Sequence, residues 1–131
     1  MAAYEIEIIL NRQLADCLSI PVFIVDTRGN LIFYNEPAEQ LLGKRFEETG
    51  EMPAEEWSTV FKPVDLDGKP LAPEALPLVK TLHDASPYHK NFRIESLKGE
   101  WLSISVTSYP VISRAGNFLG AVALFWKLKE T

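Results

Sequence analysis

Few residues in this sequence could do chemistry. His83 and His89 are its two histidines, and neither has a cysteine beside it, so a metal site would have to recruit distant carboxylates. No metal is expected. Cys17 is the single cysteine, which rules out an internal disulfide and any CxxC pair, and it reads as a small buried apolar thiol. Asp65-Leu66-Asp67-Gly68 looks like the start of a calcium loop but lacks the third acid and the following bidentate glutamate. A surface turn is expected there. The sequence offers no Ser/His/Asp or Cys/His set and no glycine-rich phosphate loop, so no catalytic residue is assigned. A small enzyme working with one acid would have only Asp26 or Glu95 to call on.

Composition narrows the partners. Eighteen acidic and thirteen basic residues give a net charge of -5, and no basic cluster exceeds Lys44-Arg45, which argues against nucleic acid. The longest apolar run, Ala121 to Trp126, falls far short of the ~20 residues a membrane-spanning helix needs, so no membrane insertion is expected. The N-terminus lacks the basic start and apolar core of a secretory signal, and a cytoplasmic location is expected. With 131 residues, 47% hydrophobic and 24% charged, the chain suits one folded domain.

The elements that would position these residues follow from periodicity. From Tyr4 to Leu18, apolar residues at Ile6, Ile9, Leu10, Leu14, Cys17 and Leu18 give helical spacing. Ser19-Ile20-Pro21 breaks that helix, so residues 1–19 form an N-terminal amphipathic segment and 20–131 the main domain. Val22 to Asp26 and Leu31 to Tyr34 read as a hairpin around Thr27-Arg28-Gly29-Asn30. Asn35, Pro37 and Gly43 bracket a short helix. Residues 44–70 read as irregular, with one helical turn carrying Trp57, Val60 and Phe61. Pro77 opens a helix whose face holds Leu78, Val79, Leu82 and Ala85 and which ends near Ser86-Pro87. Tyr88 to Leu97, Trp101 to Ile112 and Phe118 to Leu128 read as an antiparallel meander. The expected class is α+β: a five-stranded antiparallel sheet with short helices on one face.

The last of these strands is apolar on both sides. Val122 and Leu124 alternate with Leu119, Ala121, Ala123 and Phe125, so something must cover each face. The N-terminal helix, a second copy of the chain, or both could do so. Ile6, Leu10 and Leu14 with Leu119, Ala121, Ala123 and Phe125 are therefore the expected homodimer face.

The run from Val25 to Asn35, followed by Ala38, Leu41, Leu42 and Gly43, resembles the start of a PAS domain. Asp26, Gly29, Asn35 and Gly43 occupy the places of that family's hairpin and of its first short helix. Asp67-Gly68-Lys69-Pro70-Leu71, Pro77-Leu78 and Lys98-Gly99 resemble the ligand-sensor branch of bacterial PAS/PAC signalling proteins, and the likeness spans about residues 10 to 128. Lys127-Leu128-Lys129 departs from the Asp-Ile-Thr-like triplet with which many PAS domains end. The chain stops at Thr131 with no output domain, as a truncated piece or a stand-alone sensor would.

The resemblance implies a pocket between sheet and helix, walled by Phe23, Val25, Ile32, Tyr34, Leu78, Leu82, Phe92, Ile94, Ile104, Val122 and Leu124. The Tyr34 phenol would meet either a polar group of a ligand or a backbone carbonyl. Haem through His83 is one cofactor option, although helical geometry puts His83 about 100° from the apolar stripe, at its rim. Flavin would need a reactive cysteine in an Asn-Cys-Arg-like helix, which Cys17 does not occupy. The cofactor is left open. The implied function is a sensory input module that takes a small ligand or a partner and signals through dimer rearrangement, to a histidine kinase in the first instance. The alternative is a ligand-free interaction and dimerisation module with a packed core.

Overall fold

The computed structural model describes residues 6–128. Its strands are β1 (Val22–Val25), β2 (Leu31–Tyr34), β3 (Tyr88–Glu95), β4 (Trp101–Ile112) and β5 (Phe118–Lys127). They form one antiparallel sheet in the order β2-β1-β5-β4-β3. Five α-helices accompany it: α1 (Ile6–Cys17), α2 (Glu36–Leu42), α3 (Phe46–Thr49), α4 (Ala54–Val60) and α5 (Pro77–Asp84), with a 3₁₀ turn at Pro73–Ala75. The expected five-stranded α+β architecture is observed. The expected start of the first helix at Tyr4 and the triplet residue Lys129 lie outside the described residues.

Local chemistry explains the hairpin and α2. The Asp26 carboxylate accepts from the Arg28 and Asn30 amides, both at 2.9 Å, which folds the turn, while Gly29 takes the positive φ of 84° that closes it. The same construction recurs at Asp65, whose carboxylate accepts from the Asp67 and Lys69 amides at 2.9 Å each, as expected of a surface turn. Asn35 caps α2 by accepting from the Ala38 amide, and Gly43 ends it in the left-handed conformation. The stretch expected to be irregular contains α3 and α4, each bracketed by a proline or a glycine. Helix α5 starts at Pro77 as expected but stops at Asp84, because Ala85 turns left-handed at φ 54°.

The sheet separates two apolar layers. The larger, inner layer lies beneath α2, α4 and α5 and contains Phe23, Val25, Leu31, Tyr34, Phe92, Ile94, Ile104, Val106, Ala121, Ala123 and Phe125. The outer layer joins Val22, Ile24, Ile32, Val111 and Val122 to Ile8 and Ala15 of α1, with Leu119 and Leu124 packed against it.

Six of the expected facings are thereby corrected. Ile32, Val122 and Leu124, expected inside, lie in the outer layer, whereas Ala121, Ala123 and Phe125, expected at a dimer face, lie inside. Pairing with β1 sets the facing of β5, since the inward Phe23 and Val25 oppose Ala123 and Ala121 while the outward Val22 and Ile24 oppose Leu124 and Val122; bulges account for Ile32 and Leu119. Val25 pairs with Leu31 while Ile24 pairs with Phe33, so Ile32 is an extra residue and leaves the inward alternation. Val111 pairs with Gly120 while Ile112 pairs with Phe118, so Leu119 is extra, and the parity of β5 reverses at that point. Only Gly fits position 120, since a Cβ there would stand 2.3 Å from the Val25 carbonyl oxygen.

Helix α1 rests on the outer layer through Ile8 and Ala15, two turns apart on one face. Tyr109 Oη donates to Asn11 Oδ1 at 2.9 Å, and the Arg12 guanidinium covers the Phe33 ring at 4.6 Å. Ile6, Leu10 and Leu14 point away from the sheet and are more than half exposed. Cys17 continues that outward stripe and is exposed, contrary to the buried thiol expected.

Candidate functional site

A cavity of about 70 Å³ opens between the inner face of the sheet and the helices. Its floor is Phe23 of β1, Phe92 and Ile94 of β3, Ile104 and Val106 of β4, and Ala123 and Phe125 of β5. Its roof is Leu42 of α2, Trp57 of α4, then Phe61, Pro63, Leu76, Pro77 and Leu78. Alternation along β3 and β4 makes this floor continuous, with Phe92 paired to Ile104 and Ile94 to Leu102.

The walls are held by contacts among the lining residues and to the elements behind them. The Trp57 indole donates to the Gly29 carbonyl at 2.6 Å, tying α4 to the first hairpin. Phe23 meets Phe125 edge-on at 5.1 Å between centroids and tilts against Phe61 at 6.3 Å. The buried hydroxyls of Thr81 and Ser108 share a 2.6 Å hydrogen bond that fixes α5 onto β4.

Of the pocket residues expected from sequence, Phe23, Leu78, Phe92, Ile94 and Ile104 line the cavity. Val25, Tyr34 and Leu82 belong to the same core without lining it. Tyr34 Oη donates to the Lys44 carbonyl at 3.0 Å and shares a 2.9 Å hydrogen bond with Thr49 Oγ1, so its partner is the backbone alternative. Burial pushes the Tyr34 phenol above its ordinary pKa; the Thr49 hydrogen bond opposes the rise, and the nearby Glu39 and Glu48 charges add to it.

Ala123 and Phe125 join the wall from the supposed dimer face. Leu42, Trp57, Phe61, Pro63, Leu76, Pro77 and Val106 join it without having been assigned to it. The signal for two of them was present: Trp57 and Phe61 stand four apart just before Pro63, the spacing of two aromatics on one face of a terminating helix.

The other candidate residues are engaged elsewhere. His83 is exposed on α5 and is not part of the cavity wall. His89 is exposed on β3, where its ring nitrogens lie 2.7 Å from Thr107 Oγ1 and 3.2 Å from Ser105 Oγ. Asp26 is spent on its turn, and Glu95 pairs with Lys62 at 2.9 Å. Among the described residues no group of three metal-ligating side chains comes together, and no helix is long and apolar enough to cross a membrane.

Asn35 is the other organising residue, and it is buried. Its Oδ1 accepts from the Val22 amide at 2.9 Å and the Ala38 amide at 3.2 Å. Its Nδ2 donates to the carbonyls of Ala15 at 2.8 Å and Ile20 at 2.9 Å. One amide thus joins α1, β1 and α2 with all of its bonding groups satisfied.

Comparison with known proteins agrees with this geometry. The chain is similar in fold to the PAS domain of a protein from Colwellia psychrerythraea, with a TM-score of 0.65 at 15% identity over 92% of this chain and 97% of that one. It is also similar to a PAS domain from a two-component sensor histidine kinase, with a TM-score of 0.61 at 11% identity over 94% and 97%. A third similar structure is a Rhodobacter sphaeroides LOV protein, with a TM-score of 0.74 at 14% identity over 95% of this chain and 69% of that one. No curated protein matches the sequence. A family profile described as PAS domain matches residues 10–77, just over half of the chain. With its hairpin, its Asn-capped α2 and its sheet order accounted for, the chain belongs to the PAS domain family.

Proposed function

We propose that this PAS domain is a sensory input module rather than an enzyme, with the cavity under α4 and α5 as its ligand site and α1 as the element that carries the signal outward. The observation that supports this most is the cavity itself: an interior of this size is normally filled by its own side chains, yet this one keeps an apolar space between sheet and helices. Occupancy would favour one arrangement of α4 and α5 over the sheet, and the sheet would pass that preference to the layer on which α1 rests. Asn35 couples the two sides, since it bonds both α2, whose Leu42 is in the cavity roof, and Ala15 of α1.

The output is a second copy of the chain and, beyond it, a histidine kinase. Ile6, Leu10 and Leu14 form an exposed apolar stripe of the kind that packs against a partner helix. The kinase assignment rests on the similar PAS domain from a sensor histidine kinase. The residues 1–19 segment then acts as cap and dimer contact, and residues 20–131 as the sensor. A native mass spectrum of the freshly purified protein tests both halves, with a dimer carrying a discrete added mass as the expected result. A bare monomer that bound nothing in a ligand screen would refute the sensory reading and favour a packed interaction module.

A further inference from the structure

The cavity wall sets the chemistry of what can enter it. Fourteen of the described residues form it, and among these the only polar side-chain atom is the Trp57 indole nitrogen. That N–H already donates to the Gly29 carbonyl at 2.6 Å. Pro63 and Pro77 bring no backbone donor at all. The Phe92 and Ile104 backbones are paired across β3 and β4, and the Phe61 carbonyl accepts from Glu95 at 2.7 Å. The buried hydroxyls of the core are committed to each other or to the backbone: Thr81 to Ser108, Tyr34 to Lys44 and Thr49. A charged or hydrogen-bonding guest would lose water there without replacement, a cost that disfavours it against an apolar one.

Size gives the second limit. An engineered apolar cavity of about 150 Å³ is known to hold benzene or xenon, and this one is about 70 Å³. Resting on the reading of this cavity as the sensory site, we propose that its ligand is a small uncharged apolar molecule, a light hydrocarbon or an apolar gas smaller than benzene. A carboxylate, a flavin or a haem does not match this wall.

The test uses xenon and cyclopropane as probes, followed by methyl NMR on the whole chain. Wild-type protein is expected to show saturable shifts at Leu78, Ile94 and Ile104 with either probe. Ala123→Leu, which places three more carbons on the floor, should abolish them. Because that variant could fail to fold, Ile94→Ala serves as the complement, and it should enlarge the space and add benzene to the bound set. If a carboxylate, flavin or haem bound with shifts at the same methyls and the apolar probes did not, the ligand class would be overturned while the sensory site stood. If nothing bound wild type and Ile94→Ala bound benzene, the native interior would be closed packing, and the class and the site would fall together.

Discussion

Replacing Asn35 by alanine removes four hydrogen bonds at one stroke. Two are the Val22 and Ala38 amides at 2.9 and 3.2 Å, and two are the Ala15 and Ile20 carbonyls at 2.8 and 2.9 Å. Each buried bond contributes a net ~0.5–1.5 kcal/mol, and partners stranded without water cost more. The helix-cap share of the loss is about 1 kcal/mol. A total near 3 kcal/mol is expected, and at roughly 3–5 °C per kcal/mol for a domain of this length the melting temperature falls by about 10 °C or more. Asn35→Asp keeps both acceptor bonds but sets a carboxylate against two carbonyl oxygens, and it should be at least as damaging. Urea unfolding gives the magnitude, and amide exchange gives its location: α1 should exchange faster, since one donor bond ends on Ala15 of that helix and the other on Ile20 just after it. A loss under about 1 kcal/mol would refute the assignment of Asn35 as the junction. So would α1 exchange that stays as slow as in wild type.

Three further outcomes are expected. Burial raises the Tyr34 and Tyr109 phenols above the ordinary value of 10.0, so their neutral forms are favoured in the folded chain. Their stabilising contribution is complete below about pH 10 and is lost as pH climbs through the raised values. Urea midpoints should therefore fall above pH 10, and the Tyr34→Phe, Tyr109→Phe double variant should fall less steeply; equal slopes would contradict the cause given. Gly120→Ala forces a Cβ to within 2.3 Å of the Val25 carbonyl oxygen at φ 148° and should cost at least about 2 kcal/mol in a denaturant melt, with a neutral result sinking the bulge geometry. Leu10→Glu places a charge in the middle of the exposed α1 stripe, where it should convert a dimer to a folded monomer in light scattering. An unchanged dimer would move the interface elsewhere.

Much of this fold is written in short-range chemistry. Asp26, Gly29 and Gly43 act within a few residues of themselves, as does the Asn35 cap on Ala38, so the first hairpin and α2 can be read from sequence alone, whereas the bonds of Asn35 to Ala15, Ile20 and Val22 cannot. Pro77 likewise marks the start of α5. Facing is different, because it depends on register between strands distant in sequence. An extra residue at Ile32 and another at Leu119 reverse the parity beyond them, and no alternation rule detects a bulge whose partner strand is unknown. The cavity floor on β3 and β4 was legible because those strands pair without a shift where they line it. Of the roof, Leu78 was expected and Trp57 and Phe61 showed their helical spacing, but that α4 swings over the sheet, held by the Trp57 bond to Gly29, is a tertiary fact that no local pattern carries. For α1, the apolar stripe Ile6, Leu10 and Leu14, expected to face a partner, was found, but the narrower face that packs on the sheet was not. The sheet is covered by Ile8 and Ala15, and the larger residues Ile6, Leu10 and Leu14 remain outside.

The central claim is that occupancy of the inner cavity changes how two copies meet through α1. Cys17 allows a direct measurement, since it is the single cysteine and is exposed at the end of that helix. A spin label there reports the distance between the two copies by pulsed electron resonance, with no engineered cysteine needed. The account predicts one well-defined distance in the empty dimer and a different one when the cavity holds cyclopropane, with Ala123→Leu locked at a single value regardless of the gas. A distance that does not respond to a demonstrably occupied cavity would contradict it.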